Sequence, residues 1–106
     1  MKLDDKKLEE IVQKIVEFVH PIRIVLFGSA ARGTMKRNSD IDLLIIMPDG
    51  THRRKTAQLL YRNLPGFGFA KDIVVVTQTD TIKYRNSIGL VIKSALEEGR
   101  EVYHAA

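Results

Sequence analysis

Apolar positions recur at helical spacing near the start of the chain and then change to short unbroken runs. Leu8, Ile11, Val12, Ile15 and Val19 repeat every three or four residues, so residues 4–19 are expected as an amphipathic helix. Lys6, Lys7, Glu10, Lys14 and Glu17 mostly take the other side, and Asp4 or Asp5 can cap the start. His20-Pro21 ends this helix, because proline disfavours helical geometry in the residue before it, and His20 reads as a turn residue rather than a ligand. Residues 22–27 and 40–47 are then expected as strands, the first nearly continuously apolar, as in a strand covered on both faces. Pro48-Asp49-Gly50 is a turn.

A second helix is expected over residues 51–63, with Ala57, Leu60, Tyr61 and Leu64 on one face and Arg53, Arg54, Lys55 and Arg62 largely off it. Asp49 or Thr51 can cap it, and His52 lies solvated at its start. Residues 64–70 contain Pro65-Gly66 and Gly68 and read as loop, where Phe67 and Phe69 serve the core more readily than they stack on a base. Residues 72–77 make a third strand. Thr79 or Asp80 can cap a last helical stretch whose buried face is Ile88, Val91, Ile92, Ala95 and Leu96, with a weak point at Gly89. Gly99 is placed to close it, and residues 101–103 look like a short edge strand.

Helix and strand patterns alternate, which implies an α/β or α+β domain with a mixed sheet and helices packed over it. The 106 residues fit one domain, 1–106, with room for one core. The opening residues alternate charges, unlike a secretory signal, and the apolar runs are strand-sized, far short of a membrane span. No cysteine is present, which removes disulfides and thiolate metal sites. Cytoplasmic residence is the expectation.

Charge changes the picture by its placement. The formal net charge is +4, and Arg32, Lys36, Arg37, Arg53, Arg54, Lys55, Arg62 and Lys71 surround three particular acids in sequence. Such a field favours an anionic ligand. A nucleic-acid partner is not expected, since only the basic balance speaks for one.

Those acids are Asp40, Asp42 and Asp72, each at the beginning of an apolar strand. Asp40 and Asp42 are two apart and so share a face, a geometry that like-charge repulsion opposes unless cations lie between them. Hard cations such as Mg²⁺ take carboxylate oxygens together with phosphate and water. Gly28-Ser29 breaks the first strand, with Ala30, Ala31 and Arg32 as a first helical turn and Gly33 ending it. Glycine lets backbone approach a ligand, and N–H groups opening a helix attract phosphate. Phosphate cradle and metal carboxylates on neighbouring elements point to metal-dependent nucleotidyl transfer.

Gly28-Ser29, ten intervening residues and Asp40-Ile41-Asp42 resemble the Gly-Ser-x10-Asp-x-Asp signature of the DNA polymerase β-like nucleotidyltransferase superfamily. Ala31-Arg32-Gly33, Ser39 and the short chain narrow the resemblance to the minimal nucleotidyltransferases paired with HEPN-domain partners in toxin–antitoxin modules. The resemblance implies a sheet of about four strands. It also implies two Mg²⁺ ions on Asp40 and Asp42, Asp72 as the third carboxylate and proton acceptor, and Gly28, Ser29, Arg32 and Ser39 toward the nucleotide, with Lys36 or Arg37 as further candidates near the triphosphate. Lys71 departs from the apolar flank the family's pattern asks for beside the third acid. Larger relatives carry a further domain for the acceptor, so recognition here is expected to fall to a separate protein or to a second copy. The leading expectation is an antitoxin that moves AMP from ATP to a tyrosine hydroxyl of a HEPN partner. A small-molecule acceptor, or an antitoxin that neutralises by binding alone, are the alternatives.

Overall fold

The computed structural model describes residues 5–28, 41–64, 71–83 and 95–105. Four strands form one sheet in the order β3-β2-β1-β4: β1 is Arg23–Phe27, β2 Ile41–Met47, β3 Lys71–Thr77 and β4 Arg100–His104. β1 runs antiparallel to both β2 and β4, and β2 and β3 run parallel, so the sheet is mixed as expected. The parallel pair is bridged by a helical crossover, as parallel strands require.

Helix α1 spans Asp5–Val19 and α2 spans Arg53–Asn63. Leu8, Ile11 and Ile15 of α1 and Leu60 of α2, with Leu64 just past its end, pack on one sheet face against Ile24, Leu26, Leu43, Ile45, Ile73 and Val75. These are the alternate positions of the strands. The intervening ones, Val25, Leu44, Ile46 and Val76, face a second layer with Ala95. The unbroken apolar runs are thus explained by cover on both faces. Among the described residues no helix is long and apolar enough to cross a membrane.

Helix ends are where local expectation and structure part. His20 closes α1 in the left-handed region, φ 51°, its N–H donating to Val16 O at 3.0 Å. Asp5 lies within α1, and Asp4 lies outside the described residues. α2 is capped by neither Asp49 nor Thr51. His52 is its cap: the ring Nδ1 accepts the Lys55 N–H at 3.2 Å, while the Thr51 hydroxyl donates back to Pro48 O. Asp49 is drawn away to Thr79 on the next helix.

That helix, α3, spans Gln78–Lys83 and starts with a reciprocal cap. The Asp80 N–H donates to the Thr77 hydroxyl at 3.3 Å and the Thr77 N–H to Asp80 Oδ2 at 2.9 Å. The expected apolar face at Ile88, Val91 and Ile92, and Gly89, lie outside the described residues; Ala95 is fully buried. Residues 95–98 are helical, and the Gly99 N–H donates to Ala95 O at 2.9 Å. Gly99 does not take positive φ. It is glycine for space, since a Cβ there would stand 2.5 Å from Val25 Cγ1 and 2.9 Å from Leu26 O.

Candidate functional site

β1 ends where β2 and β3 begin, so three strand termini meet at one end of the sheet. The register is decisive. Asp42 on central β2 is opposite Phe27, the last residue of β1, and opposite Asp72 of β3. Strand periodicity puts Asp42 and Asp72 on the face of Leu44 and Val74. Their backbones are neighbours in the sheet, about 4.8 Å apart. Asp42 is half-buried and Asp72 exposed.

Gly28 follows β1 directly and has φ +72°, the left-handed region that glycine adopts without strain. A Cβ at this position would lie 3.1 Å from Asp42 Cγ and closer still to its Oδ2. The Asp42 carboxylate therefore occupies the space that any other residue at 28 would fill. Gly28 thus makes room for an acid, beyond the close approach to a ligand expected of it.

Tyr61 of α2 also reaches this end. Its Oη accepts the Ile73 N–H at 2.8 Å and lies 3.4 Å from Asp72 Oδ1. The residue is 50% exposed, not part of the buried helix face. Helical spacing cannot reveal this, because position 61 borders the apolar stripe and its hydroxyl's partners come from another strand.

Two other aspartates stand at the opposite end, beyond β2 and β3. Thr79 donates its hydroxyl to Asp49 Oδ2 at 2.6 Å and its N–H to Asp49 Oδ1 at 2.9 Å, and these bonds hold the Asp49 carboxyl below its ordinary value. Burial pushes the Asp80 carboxyl up, but the Thr77 N–H and hydroxyl and the Arg53 guanidinium, 3.0 Å away, outweigh it and leave the carboxyl lowered. This second cluster is a structural joint between α2, α3 and the turn after β2.

Of the residues singled out from sequence, the structure brings together Gly28, Asp42 and Asp72. Asp40, Ser29, Arg32 and Ser39, with Lys36, Arg37, Phe67 and Phe69, lie outside the described residues. Among the described residues no three of His, Cys, Asp and Glu converge as a metal-binding group. The Asp42–Asp72 pair nevertheless has the chemistry Mg²⁺ accepts, one or two carboxylates to be completed by phosphate and water.

Comparison with known proteins sets this geometry in context. Residues 5–102 match the family described as Nucleotidyltransferase domain. No curated protein matches the chain. Among solved structures, a candidate nucleotidyltransferase from Sulfolobus solfataricus has a TM-score of 0.64 at 19% identity, covering 93% of this chain and 78% of that one. A toxin–antitoxin structure with AMP-PNP has a TM-score of 0.53 at 24% identity, and one of the toxin–antitoxin MntA-HpeT has 0.54 at 22%. Each covers 97% of this chain and 75% of the other. At these identities the likeness is one of fold.

Proposed function

Because the chain belongs to the nucleotidyltransferase domain family, we propose that it moves AMP from ATP to a tyrosine hydroxyl on a HEPN-type toxin partner and so acts as its antitoxin. The observation that carries the reading is the register of Asp42 with Asp72, beside a glycine whose missing Cβ leaves room for the Asp42 carboxylate. Similarity to a toxin–antitoxin structure that contains AMP-PNP supports the choice of nucleotide and of partner. We read residues 1–106 as one catalytic domain.

In this reading Asp42 and Asp72, joined by Asp40, hold Mg²⁺, and Gly28 and Ser29 take the β- and γ-phosphates, with Arg32 and Ser39 toward the nucleotide. Bound there, Mg²⁺ supplies positive charge to the leaving pyrophosphate and acidifies the acceptor hydroxyl. The acceptor oxygen forms a bond to the α-phosphorus as the bond from that phosphorus to the pyrophosphate oxygen breaks. The hydroxyl proton passes to the Asp72 carboxylate. Most of the rate comes from positioning and charge, so loss of one carboxylate is costly.

The test is thermal melting with each nucleoside triphosphate, with and without Mg²⁺, on the native chain and on Asp40→Ala/Asp42→Ala. A ligand at a hundred times its Kd stabilises by about 2.7 kcal/mol, a shift of several degrees. A Mg²⁺-dependent shift with ATP, lost in the double variant, is expected. Transfer of label from α-labelled ATP to a HEPN partner then identifies the acceptor. No shift with any triphosphate, and full protection of cells by Asp42→Asn, would turn the reading to an antitoxin that works by binding alone.

A further inference from the structure

α2 lies over one face of the sheet, yet one of its side chains is spent on the open end of β3. The Tyr61 ring is half exposed, and its hydroxyl accepts the Ile73 N–H at 2.8 Å. That bond fixes the oxygen and leaves its single proton to give away. Two acceptors are in reach, Asp72 Oδ1 at 3.4 Å and Ile73 O at 3.5 Å. The carboxylate is the nearer and carries charge, and charge-assisted bonds are about twice as strong as neutral ones.

We propose that Tyr61 is a positioning residue, whose hydroxyl, clamped by the Ile73 amide, orients the Asp72 carboxylate for a divalent cation. The inference rests on the reading of Asp72 as a metal ligand. An exposed aspartate otherwise samples several rotamers and must lose that freedom on binding. A hydroxyl already held by the backbone reduces what is lost, as the partners behind metal-binding carboxylates commonly do. The simpler role for Tyr61 would be to satisfy an N–H on an edge strand.

A double-mutant cycle separates the two roles. Mn²⁺, which favours the same oxygen donors as Mg²⁺, is titrated by water-proton relaxation into the native chain, Tyr61→Phe, Asp72→Asn and the double variant. Tyr61→Phe is expected to weaken Mn²⁺ binding about tenfold, the low end for such support because Asp72 is exposed. In the Asp72→Asn background it should add nothing. Equal Mn²⁺ affinity in native and Tyr61→Phe, or losses that simply add, would overturn the proposal. Asp72→Asn binding Mn²⁺ as well as the native chain would instead overturn the metal reading beneath it, and the proposal with it.

Should Tyr61→Phe fail to fold, the native chain labelled at tyrosine ¹³Cζ serves. The Tyr61 resonance is expected to move on adding Mg²⁺ in the native protein and to stay in place in Asp72→Asn; an unmoved native resonance sinks the idea.

Discussion

Among the described residues the parallel strands β2 and β3 have a pair of aspartates near each end, and the two pairs differ in their surroundings. Asp49 and Asp80, beyond the strand ends, are held by threonine hydroxyls, backbone N–H groups and Arg53, and both carboxyls are lowered. Asp42 and Asp72, at the strand starts, face each other in register, with a glycine and a tyrosine hydroxyl beside them. Placing two acids on adjacent strands costs repulsion unless a cation is to come between them.

The comparison breaks most sharply by substitution. Asp42→Asn is expected to lower AMP transfer by at least about a hundredfold, the scale of losing one charge-stabilising group. Its melting temperature should move less than that of Asp80→Asn. The paired measurements are label transfer from ATP and thermal melting of both variants. A large loss of stability in Asp42→Asn with activity retained would mean that the two ends are alike.

Next in size is Gly28→Ala. The added Cβ meets the Asp42 carboxylate and sits at positive φ, so a loss of about 2 kcal/mol is expected in denaturant unfolding. In an Asp42→Ala background the collision with the carboxylate goes and only the backbone cost of about 1 kcal/mol should remain. An unchanged cost in both backgrounds would assign Gly28 to backbone conformation alone.

These two variants also mark what could be read from the chain. The strands were legible because their apolar runs are long and punctuated, and the acids at their beginnings were visible for the same reason. That β2 and β3 bring Asp42 and Asp72 together followed from both acids opening their strands. Tyr61 was not legible: helical spacing put it on the apolar face with Ala57, Leu60 and Leu64, and only the tertiary fold shows that it is half exposed and that its hydroxyl meets Ile73 and Asp72. Caps were misassigned for a related reason. Asp49 has the right chemistry to cap α2, but Thr79, thirty residues away, competes for it, and His52 takes the vacancy. Gly99 was read as a helix end and does end the helix; the fold adds that crowding by Val25 and Leu26 requires glycine there.

The closed end predicts a smaller, pH-linked effect. Asp80 has a lowered carboxyl value in the fold, so its ionised form stabilises the native state above the ordinary value of 3.8, and this contribution is lost as pH falls below that through the lowered value. Asp80→Asn should cost about 1 kcal/mol at neutral pH, as loss of a helix cap does. It should also flatten the fall in melting temperature below pH 4, roughly where free carboxyls titrate. An acid limb as steep as that of the native chain would show that other groups carry the linkage.

The smallest effect tests what Arg53 adds to that joint. Its guanidinium is 3.0 Å from Asp80 Oδ2, but the arginine side chain is 57% exposed. Pairs of this kind contribute less than about 1 kcal/mol and fade with salt. Arg53→Gln is therefore expected to lower stability by about 0.5 kcal/mol at low ionic strength and by almost nothing at high salt. The Thr77 bonds to Asp80 need no such charge and should keep their contribution at any ionic strength. If Arg53→Gln instead costs as much as Asp80→Asn at low ionic strength, and that cost fades as salt is raised, the joint is an ion pair with threonine support. Asp80 would then be held by charge more than by its cap.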